Sequence, residues 1–263
     1  MHVAALYRHP LKSCAPRAEP VLDIEPRGPA GDRRWLAVDA DGRFLTAREH
    51  PQLVLVQACP TAHGVELAHP RAGALHVATP GADAPRRHVA VWRSEVDAAC
   101  AGDAARHWIS AVVGFDAWLV HMDARATRAV DPAHAAPGDE VSFADGYPLL
   151  AIGQASLDAL NARLAVPVPM ARFRPNIVVA GGGPHAEDGW RHVRIGGVDF
   201  EAVKPCTRCV FTTIDPATAM RDPRGEPLRT LATYRRGDGG VVFGMNLIAR
   251  GTGRIAVGDA VHA

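Results

Sequence analysis

The chain has 263 residues, 48% of them hydrophobic, with 29 Lys and Arg against 28 Asp and Glu. That is apolar material for a sizeable core in one large or two small domains, and a formal net charge of +1 gives no global field for nucleic acid or a membrane surface. No apolar run approaches the ~18 residues of a spanning helix, and the first ten residues lack a basic region followed by a long apolar stretch, so the expected compartment is the cytoplasm.

In chain order, short apolar runs at 3–7, 35–38, 53–56 and 65–67 predict strands. Asp41-Gly42 marks a two-residue turn between 35–38 and 44–46, because glycine accepts the positive φ such turns need. Residues 98–113 predict a helix, with Ala101, Ala104, Ala105, Trp108, Ile109 and Val112 on one face. The polar stretch 123–140, with Arg125, Arg128, Pro132, Pro137 and Gly138, reads as a long loop near a domain seam. Further strands are expected at 149–152, 177–179, 198–203, 210–214, 241–243 and 255–257. Between them, 156–164 predicts a helix capped by Ser156 and stopped by Pro167, and 228–234 a shorter one. Gly196-Gly197 is a second hairpin signal. Gly181-Gly182-Gly183-Pro184 follows a strand, but Pro184 and the acidic Glu187-Asp188 make it a turn and not a phosphate cradle. The pattern is mainly β with some α, an α+β chain with a β-barrel core and flanking helices.

The five cysteines, Cys14, Cys59, Cys100, Cys206 and Cys209, are odd in number and scattered, which is no disulfide framework. The close pair lies in Lys204-Pro205-Cys206-Thr207-Arg208-Cys209. A structural zinc site needs four ligands and this is one pair. A thioredoxin-type pair needs a helix after the first thiol, whereas the β-branched 210–214 predicts a strand. A single ligating thiolate with Lys204 and Arg208 beside it suits a soft metal, and two buried thiols remain the bland alternative. Arg172-Phe173-Arg174-Pro175-Asn176 offers guanidinium forks and an amide for a phosphate or planar heterocycle, or is a solvated turn. The same two readings apply to Pro10-Leu11-Lys12-Ser13 and Asp32-Arg33-Arg34-Trp35.

Taken together, the order and spacing of these motifs resemble a known family. His9-Pro10-Leu11-Lys12-Ser13, Gly31-Asp32-Arg33-Arg34-Trp35 and Leu45-Thr46-Ala47-Arg48-Glu49-His50-Pro51 resemble the N-terminal β-barrel domain of MOSC proteins. Arg172 to Ile177, Glu187-Asp188-Gly189-Trp190, Lys204 to Cys209, Thr213-Ile214-Asp215-Pro216, Phe243-Gly244 and Val257-Gly258-Asp259 resemble the MOSC domain itself. The resemblance spans nearly the whole chain and points to the YcbX-like proteins and mitochondrial amidoxime-reducing components. It implies an N-terminal β-barrel domain over 1–118 and a MOSC β-barrel domain with flanking helices over 119–263.

By that resemblance Cys206 is the protein ligand of molybdenum in a molybdopterin cofactor, with Cys209 near it but not ligating. Lys12, Ser13, Arg33, Asp145, Gly146, Tyr147, Arg174 and Asn176 are then cofactor-binding, and Asp145 is also the expected proton donor or substrate contact. The implied activity is reduction of small N-hydroxylated compounds such as hydroxylamines and amidoximes, the cofactor carrying the hard chemistry. A cofactor carrier or sulfur-transfer module is the alternative, and pyridoxal phosphate binding is a further family-level association. No cysteine follows Cys209, so an iron–sulfur cluster is not expected in this chain, and electrons are expected from a separate ferredoxin, flavin reductase or cytochrome system.

Overall fold

The structure, a computed structural model, describes residues 1–237 and 239–263. The chain opens with β1 (His2–Arg8), β2 (Arg17–Glu19), β3 (Val21–Glu25), β4 (Gly28–Pro29) and β5 (Trp35–Val38). Then come β6 (Gln57–Thr61), β7 (Gly64–His69), β8 (Gly73–Ala78), β9 (Arg86–Val91), β10 (Ser94–Cys100), α1 (Asp103–Val113) and β11 (Trp118–His121). The remainder holds β12 (Leu149–Gly153), α2 (Gln154–Asn161), β13 (Ile177–Ala180), β14 (His192–Ile195), β15 (Val198–Thr207), α3 (Leu228–Tyr234), β16 (Arg236–Gly237), β17 (Gly240–Ala249), β18 (Gly253–Ala256) and β19 (Val261–His262).

The largest sheet runs β19-β14-β15-β17-β12-β13-β1-β2. It closes on itself, because Val3 N–H donates to Asp259 O at 2.9 Å, Gly258 N–H to Val3 O at 2.9 Å and Val261 N–H to Met1 O at 2.9 Å. Closure leaves few free edges. Inside lie Val3, Leu6, Ile177, Val179, Val193, Ile195, Phe200 and Leu247. The parallel pair β12 and β13 is bridged by α2, whose Leu157 and Leu160 cover the outer face over Val178 and Ile152. With both faces buried, every residue of β12 is buried, which is why it reads as an unbroken apolar run.

A second body is formed by the sheet β5-β11-β10-β9 and the sheet β6-β7-β8. The amphipathic α1 packs Trp108, Ile109 and Val112 against Leu53, Leu67 and Leu119. The two bodies share chain: β1 and β2 belong to the barrel, β3 pairs with β18, and β11 pairs with β5 and β10. A division at 118/119 would therefore cut through β11, and the crossover lies in the loop that follows it. Among the described residues no helix is long and apolar enough to cross a membrane.

Several local expectations are corrected. Residues 98–100 are the end of β10, with Ala98 opposite Arg87, and the helix starts only after Gly102 at φ 62°. The runs at 53–56 and 210–214 are not strands but lie in short 3-10 turns, Pro51–Leu55 and Val210–Thr213. Pro51 at the first helical position presets the first turn, and Leu53 and Val54 are buried without an edge to pair with. Ser156 does not cap α2; it sits inside the helix, and its hydroxyl donates to Glu187 Oε2 at 2.8 Å and accepts His185 N–H at 2.8 Å. Asp41-Gly42 makes its turn, with Gly42 at φ 77°, but only one bridge, Val38 with Phe44, follows it. Gly196-Gly197 joins β14 to β15 as a two-residue hairpin.

Candidate functional site

Cys206 lies near the end of β15, where the ladder to β17 slips: Pro205 faces Met245 and Thr207 faces Val242. Two residues, Phe243 and Gly244, thus oppose Cys206 alone. Gly244 takes φ 83°, and a Cβ there would sit 2.7 Å from Ile152 Cγ1 and 2.9 Å from Ala151 O. Such a bulge re-aims the side chain it faces, and here it turns Cys206 out of the core into a cavity of about 1070 Å3, above the ~300–1,000 Å3 usual for small-molecule sites. All nine residues expected from the sequence line this one cavity: Lys12, Ser13, Arg33, Asp145, Gly146, Tyr147, Arg174, Asn176 and Cys206.

The backbone holding them is strained. Six non-glycine residues have positive φ among the described residues, and four of them, Ser13 (69°), Arg33 (47°), Trp92 (58°) and Arg174 (56°), line the cavity. Strain of this kind collects at functional sites because the surrounding fold over-determines it. Arg33 is clamped by its N–H to His9 O at 2.7 Å and by Phe143 N–H to its own carbonyl at 3.0 Å. Ser13 Oγ accepts Ala47 N–H at 3.1 Å, so that hydroxyl already serves the protein.

The cavity is rich in cations. Lys12 is buried, its Nζ donating to Phe143 O at 2.7 Å and Asp145 Oδ1 at 2.6 Å. Burial pushes its pKa down to about 8 even though Asp145 opposes the shift. Arg33 pairs with buried Asp32 and donates to Asn176 Oδ1 at 3.0 Å and Arg174 O at 3.2 Å. Arg174 donates to Cys14 O and lies 5.3 Å from the Phe211 ring. Burial, with Arg33 nearby, pushes it down to about 10. Arg208 donates to Cys206 Sγ at 2.9 Å and to Phe173 O at 2.7 Å. Neither Arg174 nor Arg208 has a carboxylate partner among the described residues. Desolvated guanidinium groups without counter-ions are costly, so the cavity is complementary to an anion.

Three residues have partners that bear on their roles. Asp145 is gripped by Lys12 at 2.6 Å and Arg48 at 2.8 Å. Desolvation alone would raise its carboxyl, but those two cations outweigh it and hold it well below the ordinary carboxylate range. Its two ion pairs favour the charged carboxylate over the proton-donating acid. Asn176 is fully buried and committed to the scaffold: Oδ1 accepts Leu150 N–H at 3.2 Å and Arg33, and Nδ2 donates to Tyr7 O at 3.2 Å. It positions Arg33. Cys209 also lines the cavity, with Arg48 Nε donating to its Sγ at 3.2 Å.

Sequence reasoning missed Arg48, Trp92 and Phe44 as site residues. Arg48 lies over the Trp92 ring at 4.4 Å, and Trp92 meets Phe44 at 4.9 Å with the rings tilted by 60°. Arg48 lies inside a quoted motif and could have been found; Trp92 carries no local signal. Arg208 was noted beside the thiol and does contact it, whereas Lys204 is not part of the cavity wall. Among the described residues no three His, Cys, Asp or Glu side chains are grouped to hold a metal, so the zinc reading lacks its ligands. Cys206 is in a strand and not at a helix start, so the thioredoxin context is absent although 210–213 is helical.

Residues 1–116 match the MOSC N-terminal beta barrel domain and residues 138–262 the MOSC domain. Proteins of Mus musculus and Homo sapiens named mitochondrial amidoxime-reducing component 1 are each 34% identical over 99% of this chain and over 81% and 82% of their own lengths. Mitochondrial amidoxime reducing component 2 of Bos taurus is 31% identical over 99% of this chain and 82% of its own. With both domains matched in order along a barrel and a cation-lined cavity of this kind, the chain belongs to the MOSC-domain family, in the form that carries the MOSC N-terminal barrel domain ahead of the MOSC domain.

Proposed function

We propose that this protein binds the molybdenum cofactor through Cys206 and reduces N-hydroxylated compounds with electrons delivered by a separate redox protein. The observation that carries the reading is the bulge that aims the Cys206 thiol into a cation-rich cavity in which Arg174 and Arg208 have no carboxylate partner among the described residues. The donor set fits the group: a soft thiolate suits molybdenum better than a hard metal, and Lys12, Arg33 and Arg174 suit a phosphate and a pterin, guanidinium matching phosphate in a two-point fork. When bound, the cofactor supplies the electron pair that cleaves the N–O bond.

The chain's own residues do the rest. Arg208, hydrogen-bonded to Cys206 Sγ, offsets the negative charge a ligating sulfur carries. Asp145 stays ionised and fixes Lys12 and Arg48 in the wall. In the overall reaction R-NH-OH gains two electrons and two protons and leaves as R-NH2 and water. Tyr147 lines the cavity, and desolvation with Asp131 and Cys206 nearby raises its phenol to about 12, so it is a weaker acid than a free tyrosine and serves as a hydrogen-bond donor in the wall. The names of the relatives support the N-reductive activity. The five unpaired cysteines suit a reducing compartment such as the cytoplasm.

Protein made in a cofactor-competent host should contain about one molybdenum and one molybdopterin per chain. Cys206→Ser should lose the metal and Cys209→Ser should keep it; equal metal in both variants refutes the ligand assignment. Half-exposed Cys206 also favours a second reading, a carrier that hands the cofactor on. Reduced viologen with benzamidoxime decides between them: turnover supports the reductase, and bound cofactor without turnover supports the carrier.

A further inference from the structure

Trp92 is an anomaly in the cavity wall. It is a bulky residue with φ 58°, a conformation rare for such side chains, and its side chain is 48% exposed. It occupies the tight turn between β9 and β10, Val91 pairing with Ser94 on either side. Any small residue, glycine above all, would make that turn at lower cost, so the fold does not call for tryptophan. What the turn achieves is to hold an indole over the mouth of the cavity. Arg48 lies over its ring at 4.4 Å, Phe44 meets it at 4.9 Å, and its Nε1 reaches Asp145 Oδ1 at 3.4 Å. Three partners orient the ring while leaving half of it open.

The cluster borders the anion-binding floor, since Lys12 Nζ reaches the same Asp145 Oδ1 as Trp92 Nε1 and lies 5.5 Å from the Phe44 ring, but the indole faces solvent. The Lys12 and Arg33 side chains are 6% and 11% exposed, so an anionic cofactor that reaches them lies deep. A ligand touching the open indole comes from the solvent side. An exposed indole backed by a guanidinium attracts flat π-systems, because stacking requires only a planar face and tolerates varied ring chemistry.

Resting on the reductase reading above, we propose that Trp92, with Phe44 and Arg48, is the substrate platform: planar aromatic or heteroaromatic N-hydroxylated compounds stack on it with the N–O group directed toward Cys206. Compounds without a π-face, such as hydroxylamine itself, gain nothing from it. Trp92 is then a specificity-determining residue, and the strain at its turn is maintained for substrate selection.

The test uses the holoenzyme with reduced viologen as donor. Trp92→Ala should raise KM for benzamidoxime roughly ten-fold more than it raises KM for hydroxylamine, as loss of one stacking partner does. Trp92→Phe should recover most of the benzamidoxime KM. A direct readout is binding of benzamidoxime to oxidised holoenzyme without a donor: quenching of tryptophan fluorescence should saturate in the wild type and weaken by the same factor in Trp92→Ala. Equal KM rises for both substrates, or unchanged quenching, overturn the proposal. A fall in molybdopterin content in Trp92→Ala also overturns it, since the ring would then support the cofactor. If the wild type turns over nothing yet benzamidoxime still quenches through Trp92, the reductase reading fails while the platform stands.

Discussion

Replacing Asn176 tests whether one buried amide joins the barrel to the cation cluster. Its side chain is fully buried and ties together β1, β12 and the Arg33 guanidinium. In Asn176→Ala the Leu150 N–H and an Arg33 N–H lose their acceptor, and each unsatisfied buried donor costs about 1–3 kcal/mol. The sum is a loss of roughly 2–5 kcal/mol, equivalent to a drop in Tm of about 5–15 °C for a chain of this size. Asn176→Asp keeps the one acceptor oxygen and places a negative charge against Arg33, but it replaces the donor to Tyr7 O with a second oxygen, so it should cost less than the Ala variant, about 1–2 kcal/mol. Urea unfolding of the cofactor-free protein measures both, and molybdopterin content after expression should fall in the Ala variant because Arg33 is released. A loss under about 1 kcal/mol in Asn176→Ala, or an Asp variant as unstable as the Ala variant, would refute the assignment of Asn176 as the positioning residue.

Lys12 makes stability depend on alkaline pH. Its folded pKa of about 8 lies below its ordinary 10.5, so between those values the unfolded chain binds more protons and stability rises with pH. Relative to Lys12→Met, the cofactor-free wild type should gain up to about 3 kcal/mol from pH 7.5 to pH 10.5; a flat difference in urea midpoints across that window would refute the shift. Gly244→Ala places a Cβ 2.7 Å from Ile152 Cγ1 at φ 83°. It should destabilise by roughly 2–4 kcal/mol and lower molybdenum occupancy, because the bulge that aims Cys206 must shift; metal analysis alongside thermal melting checks both. Glu187 is buried and accepts Gly153 N–H at 3.1 Å and Ser156 Oγ–H at 2.8 Å. Glu187→Ala should cost about 2–4 kcal/mol by stranding both donors while molybdenum content stays near wild type.

Much was legible along the chain wherever the signal is local. Residues 149–152 and 177–179 are strands because apolar side chains pack on both faces of the sheet, 198–203 is a strand that buries Val198 and Phe200 and exposes Asp199 between them, and 228–234 is the helix its spacing predicts. The motif residues Lys12, Arg33, Arg174 and Cys206 each allow a bland reading alone and are singled out by the resemblance of their motifs, in order and spacing, to the MOSC family; all line one cavity. Where the signal was local but the outcome tertiary, the expectation failed: 210–214 has the composition of a strand, yet it turns as a 3-10 helix with Thr212 and Thr213 buried.

The amino-acid sequence by itself determined that there is a thiol, a set of cations and a mainly β framework, since residue type and hydrophobic period are properties of neighbours along the chain. Only the tertiary structure decided what those groups do. Arg174 reaches Cys14 across 160 residues and Arg48 reaches Cys209 across 161, and the hydrogen bonds of Val3 with Asp259 and Gly258 close the barrel. Asp145 is ion-paired because two cations from distant loops converge on it. Charge state and orientation depend on through-space neighbours, and those exist only once the chain has closed on itself.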